Sequence, residues 1–194
     1  MIHASRVLVI ISSVRPRRIA PDVARWVAEV GRDAMPGVSP LFELVDLKDF
    51  PLPMDDEPEI PAAGRPYANA HTRAWSAKIE SGDAVVFVTP QYNWGYPAPL
   101  KNALDHLYKE WDGKPAMIVS YGARGGNHCA AQLRQILHAL EMKPAETAAM
   151  LKLPRAHIEA NPGAIDPGTV FAEHVGELRQ AFGELAAALA PKAQ

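Results

Sequence analysis

Ser12, Ser13, Arg15, Arg17 and Arg18 fall within one short stretch, between an apolar β-branched run and the start of a helical pattern. Two hydroxyls, backbone amides, three guanidiniums and a positive helix end converge naturally on a phosphate or another dianion. A solvated basic loop is the plainer alternative. Neither Gly-x4-Gly-Lys-Ser/Thr nor Gly-x-Gly-x-x-Gly is present, so the grip is not a Walker loop or a dinucleotide fingerprint. A second stretch, Thr89-Pro90-Gln91-Tyr92-Asn93-Trp94-Gly95-Tyr96-Pro97-Ala98-Pro99, concentrates three prolines, three aromatic rings and two amides. Stiff backbone with planar side groups suits one flat, polar-edged ligand, whereas an unconstrained loop favours Ser and Asp. A third, Gly122-Ala123-Arg124-Gly125-Gly126-Asn127, is glycine-rich and opens a helix.

These three stretches need a frame that brings them together. Arg6-Val7-Leu8-Val9-Ile10-Ile11 and Ala84-Val85-Val86-Phe87-Val88 read as buried parallel strands by length and β-branching. Residues 41–47 and 115–121 read as two more, and 143–153 as a weaker fifth whose Ala145 to Ala149 suits helix equally well. Helical periodicity begins near Pro21, with Val23, Trp26, Val27 and Val30 on one side, and Pro36-Gly37 stops it. Further helices are expected over 67–81, from Pro99 as a first helical position, and along Ala130, Leu133, Leu137 and Leu140. A long C-terminal helix follows from Phe171, Val175, Leu178, Phe182, Leu185 and Leu189, whose spacing makes a core-facing stripe. Residues 48–66 hold five prolines and seven charges and read as a long surface loop, and 154–167 as an irregular excursion; either can border a bound ligand, within one chain or across a dimer. Strand and helix alternate five times without a composition break. The pattern predicts one three-layer α/β domain over 1–194 with a parallel sheet, and ligands bind at the carboxyl edge of such sheets.

Composition narrows the function classes. The chain has 194 residues, 48% hydrophobic and 22% charged, with a formal net charge of −2. That balance gives no electrostatic reason to expect nucleic acid. Cys129 is the single cysteine, which excludes an internal disulfide and a cysteine-rich zinc site. No apolar run approaches the roughly 18 residues of a membrane span, and arginines follow the first apolar run, opposite to a signal peptide. The expectation is a cytoplasmic protein with no membrane partner.

Ser13-Val14-Arg15-Pro16-x-Arg18, then Thr89-Pro90-Gln91-Tyr92-Asn93, Leu100-Lys101-Asn102-Ala103-Leu104-Asp105, Gly113-Lys114-Pro115-Ala116 and the glycines 122–126 resemble, in order, the NAD(P)H-dependent FMN reductase family. The similarity covers about three quarters of the chain, from the first strand to the helix after the fourth. It implies a flavodoxin-like fold with a five-stranded parallel sheet in the order 2-1-3-4-5 and helices on both faces. It implies bound FMN, hydride uptake from NADPH or NADH, and a homodimer or homotetramer. Carried onto these positions, Ser13, Arg15, Arg17 and Arg18 hold the FMN phosphate. Pro90, Gln91, Tyr92, Asn93 and Trp94 form the ring and ribityl side, and Ser120, Gly122 and Gly125 approach the other edge of the flavin. Three positions depart from the pattern: Ser12 and Arg17 stand where glycine, or glycine and serine, are common, and Gln91 often appears as glutamate. Flavin reduction needs positioning and charge stabilisation but no side-chain nucleophile, so no catalytic side chain is assigned. Electrons then pass to a small acceptor, either a free flavin, a quinone, an azo compound or a metal oxyanion.

Other readings fare worse. A non-enzymatic electron carrier of flavodoxin type usually has a Ser/Thr-rich phosphate loop and a strongly acidic chain. A phospho-acceptor domain needs an acidic cluster after the first strand, which is missing. Cys129 and Arg134 are one residue too close for a Cys-x5-Arg phosphatase loop, and they fall inside a helical pattern. Cys129 reads as a packed thiol. The seven histidines show no metal-ligand spacing, so no metal is expected. His128 reads as solvated or structural, and Asp105-His106 as a surface face or subunit contact. Trp94 and Tyr96 stack either on the ligand or at a subunit interface.

Overall fold

The computed structural model describes residues 5–35, 37–54 and 56–190. Its sheet runs in the order β2-β1-β3-β4-β5, all pairs parallel. β1 (Arg6–Ile11) and β3 (Ala84–Pro90) form the centre, and every residue of β3 is buried. β2 (Leu41–Asp46) lies on one side of β1, and β4 (Pro115–Gly122) on the far side of β3. The carboxyl ends of β1, β3 and β4 therefore sit side by side, and they carry the three chemistry-bearing stretches.

The fifth strand is broken. Lys143–Pro144 (β5) and Ala149–Lys152 (β6) both pair with β4, separated by a detour. Backbone groups in the detour find side-chain partners instead of a ladder: the Arg134 guanidinium donates to the carbonyls of Ala145 and Glu146, and the Glu184 carboxylate accepts from the Thr147 N–H and hydroxyl. The strand/helix ambiguity over Ala145 to Ala149 thus resolves as a break over 145–148, with Ala149 opening β6.

Helices cover both faces. α1 (Ala20–Ala34) and α7 (Val175–Leu189) pack on one, where Val23, Val27, Leu178, Phe182 and Leu185 meet Val7, Val9 and Val86. α2 (Ala70–Glu80), α3 (Ala98–Asp105) and α4 (Asn127–Ala139) pack on the other, around Trp75, Trp111, Phe87 and Leu133. Pro97 precedes α3 in extended conformation, so Pro99 stands one place inside the first turn instead of opening it. Gly37 lies in a turn beyond α1, while its expected partner Pro36 falls outside the described residues. Residues 154–167 are less irregular than expected. Pro154 opens a short helix, α5 (Arg155–Ala160), and α6 (Pro167–Val170) follows. Phe171 is fully buried but precedes α7, in the bend between α6 and the final helix. His106, expected on a surface face, is buried at the end of α3, while its neighbour Asp105 is exposed and pairs with Lys101.

Candidate functional site

At the carboxyl edge the three stretches wall a cleft of about 520 Å³. Arg15, Arg17 and Arg18 line it from the loop after β1; Pro90, Gln91 and Tyr92 line it from the end of β3. Tyr121, Gly122 and Ala123 supply the wall at the end of β4. Ser13, Asn93, Trp94, Ser120 and Gly125 do not face it directly, and each is occupied nearby.

The three arginines differ. Arg18 is committed: both its terminal nitrogens bond the Asp46 carboxylate, at 2.7 and 2.5 Å, and it also donates to the Ser13 carbonyl. It ties the loop after β1 to the end of β2. Arg15 and Arg17 are exposed and have no carboxylate partner among the described residues. The Arg15 guanidinium lies over the Tyr92 ring, 3.7 Å from its centroid, a cation–π contact that keeps the charge at the cleft. Behind them α1 begins at Ala20 without a side-chain cap; Pro21 has no N–H and the Asp22 and Val23 amides donate to the Ile19 carbonyl, so the helix end contributes its dipole there and not a row of free amides.

The serines act as structure. The Ser12 hydroxyl donates to the Val88 carbonyl at 3.0 Å, fastening β1 to β3. The Ser13 hydroxyl and the Tyr92 phenol share a hydrogen bond of 2.8 Å, which joins the first two stretches directly. Ser120 donates to the Gly125 carbonyl and folds the third stretch back on β4.

Tyr92 and Gly95 close a two-residue turn by exchanging backbone hydrogen bonds of 2.8 and 3.0 Å. Asn93 and Trp94 take positive φ in it, 47° and 71°, a conformation unfavourable for a bulky residue and held by the closed turn. Trp94 is 66% exposed, and its ring stacks on His128 with centroids 4.0 Å apart and planes 4° from parallel. The Gln91 side-chain Oε1 accepts from the first amides of α4, His128 and Cys129, at 3.1 Å each. That cap positions the third stretch against the second. Gly125, with φ of 72°, sits so close to β6 that an added Cβ would meet the Met150 carbonyl at 2.6 Å.

Cys129 is unsuited to nucleophilic work. Its thiol is buried, contacts the Thr89 hydroxyl and the Pro90 carbonyl, and is pushed up to about 12 by burial. Arg134 is already spent on two carbonyls. Burial likewise pushes the Tyr121 phenol up, so it stays a neutral lining group.

The far wall comes from the excursion over 154–167, which the sequence left open as a border of the ring within one chain or across a dimer; here it lies within one chain. Leu153, His157, Ile158, Asn161, Pro162 and Ile165 complete the cleft from the segment around α5. Its composition resembles any surface excursion. The one signal was its length without an evident core stripe, in a position that returns toward the carboxyl edge.

Comparison with known proteins agrees with this geometry. The chain is 51% identical over 180 residues to an NAD(P)H-dependent FMN reductase of Schizosaccharomyces pombe, covering 92% of this chain and 88% of that one. It is 31% identical over 190 residues to a quinone reductase of Escherichia coli K12, covering 92% and 94%. Among solved structures, the NAD(P)H:(acceptor) oxidoreductase FerB from Paracoccus denitrificans superposes with a TM-score of 0.66 at 24% identity, over 95% of this chain and 98% of that one, a likeness of fold. The family model for NADPH-dependent FMN reductase matches residues 5–153, from β1 through β6, and the chain belongs to that family.

Proposed function

We propose that the protein binds FMN in the cleft and catalyses oxidation of NADPH or NADH by a small acceptor: NAD(P)H plus a proton plus the acceptor gives NAD(P)⁺ and the acceptor reduced by two electrons. The observation that carries the reading is the pair Arg15 and Arg17, two cations without carboxylate partners among the described residues, in a cleft also walled by Pro90, Gln91, Tyr92, Tyr121 and Gly122.

The residues fit the group. Arg15, Arg17 and backbone amides of the loop after β1 would hold the phosphate dianion, with the α1 dipole behind them. Pro90, Gln91 and Tyr92 on one side, with Gly122 on the other, would flank the ring. Gly122 puts bare backbone into the cleft wall beside Gln91, where an added Cβ would make an ordinary 3.4 Å contact with the Gln91 Cβ. When bound, FMN supplies the capacity to take a hydride from nicotinamide and to pass electrons onward. The chain's own part is orientation: Arg18 fixes the phosphate loop through Asp46, and Ser13 fixes that loop to Tyr92. Gln91 fixes the glycine loop through α4. Ser13, Arg18, Gln91, Ser120 and Gly125 are thus positioning residues in this reading. Asn93 and Trp94 form the outer rim, where the exposed indole is a fitting contact for nicotinamide or for a second copy of the chain in a homodimer or homotetramer.

The acceptor class is a free flavin, a quinone, an azo compound or a metal oxyanion, each small enough for an open cleft. A single buried, neutral thiol fits a cytoplasmic setting. The test is direct: the purified chain is titrated with FMN and then given NADPH or NADH with a quinone and no partner reductase. Turnover is expected. FMN binding without turnover identifies an electron carrier of flavodoxin type, and no FMN binding overturns the reading altogether.

A further inference from the structure

We propose that Asp56, His71 and His106 form a binding site for a divalent transition-metal ion of the zinc type, and that the ion pins the long loop after β2 onto α2 and α3. One ligand atom from each of the three residues lies within 4.8 Å of the others. The His71 Nε2 stands 2.9 Å from the Asp56 Oδ1, and the His106 Nε2 stands 3.7 Å from the same oxygen. A tetrahedral zinc ion with bonds of about 2.0–2.1 Å spaces its ligand atoms roughly 3.3 Å apart, midway between those two separations.

His106 supplies the independent sign. Its side chain is only 2% exposed, and its Nε2 has no hydrogen-bond partner among the described residues. Its other ring nitrogen, Nδ1, lies 2.8 Å from the Asn102 carbonyl. A carbonyl only accepts, so Nδ1 carries a proton, and in the neutral ring Nε2 then presents a lone pair toward Asp56 and His71. A buried, unpartnered lone pair is costly in a metal-free protein and is what a ligand requires. The Nδ1–H to carbonyl bond is the outer-shell support that metal-ligating histidines have.

The surroundings hold the other two ligands in place. The Asn102 side chain donates to the carbonyls of Leu52 and Pro53, and that of Asn69 to the carbonyl of Asp56. The Glu57 carboxylate accepts from the amides of Ala68 and Asn69, just ahead of α2 and His71. Asp56 is partly exposed, so the ion has a way in from solvent. Two imidazoles and one carboxylate suit zinc, with water as fourth ligand, and suit magnesium or calcium poorly. Asp56 and His71 are 15 residues apart, and His106 comes from another helix, so no local spacing announced the site.

The experiment uses the full chain with FMN added, stripped by chelator and titrated with zinc by calorimetry, magnesium serving as control. One zinc per chain is expected, with a higher melting midpoint, and cobalt in its place is expected to give the strong visible absorption of a four-coordinate site. His71→Ala and Asp56→Asn each lie outside the core and are expected to weaken zinc more than about 10-fold. The exposed-site variant His138→Ala is expected to leave it unchanged. Absence of saturable zinc binding overturns the proposal, as does zinc binding that survives both His71→Ala and Asp56→Asn.

Discussion

The two faces of the sheet are built from different materials. Every residue that α1 and α7 bury is apolar or glycine, and phenylalanine and tryptophan rings such as Phe42 on Phe182 fill the space between them. The opposite face also has a large apolar core, but α2 and α3 bury Ser76 and Asn102 as well. There the Trp75 and Trp111 indoles donate to carbonyls of α3, and the buried Glu110 carboxylate accepts from the Tyr67 phenol at 2.9 Å and the Ser76 hydroxyl at 2.6 Å. Apolar packing is strong and tolerant of small shifts; directed hydrogen bonds fix orientation. The first face holds the molecule together, and the second fixes how α2 and α3, with His71 and His106 at the histidine cluster, sit against each other.

Substitutions that act on one face alone sharpen this contrast. The largest effect is expected from Phe182→Ala, which empties an aromatic site between α7, Phe42 and Gly31. Chemical denaturation is expected to show a loss of about 3–5 kcal/mol, with FMN affinity of the folded fraction unchanged. Glu110→Ala strips the acceptor from two buried hydroxyls and is expected to cost about 2–3 kcal/mol. Its signature is coupling: added to Tyr67→Phe it should cost clearly less than the sum of the two, and simple additivity would mean the network is not a unit. Arg15→Ala belongs to neither face. It is expected to weaken FMN by about 1.5–3 kcal/mol in a fluorescence titration while leaving the denaturation midpoint in place.

The smallest effect is one of pH. Burial raises the Cys129 thiol from 9.0 to about 12, because the thiolate is disfavoured against α4 and the sheet. The folded value exceeds the unfolded one, so the associated stability is complete below pH 9.0 and fades as pH rises toward about 12. Cys129→Ser is expected to flatten that alkaline loss. In the folded protein near neutral pH the thiol is expected to resist alkylation that the denatured chain undergoes readily.

Much of this architecture was legible in the sequence because its signals are local. Unbroken apolar runs such as Ala84 to Val88 marked the buried strands, and the Val23–Val27 and Leu178–Leu185 spacings marked the helices. The three stretches at the carboxyl edge were legible for the same reason: each concentrates serine and arginine, proline and aromatic, or glycine residues in a single strand-to-helix turn. The broken fifth strand was not, since Arg134 and Glu184 take its backbone groups from elements distant in sequence. Residue type also could not separate Arg18 from Arg15 and Arg17. That distinction rests on Asp46, at the end of another strand. The excursion around α5 was legible only as a segment able to border the ring, and the histidine cluster escaped, because each depends on how remote segments meet.

The most direct test of the central claim is anaerobic. The chain loaded with FMN is mixed with NADPH or with NADH while the visible band of the oxidised flavin is followed. The account predicts that the band bleaches with at least one nucleotide and returns when a quinone is added. A band that persists with both nucleotides, on a sample shown to hold FMN, would contradict it.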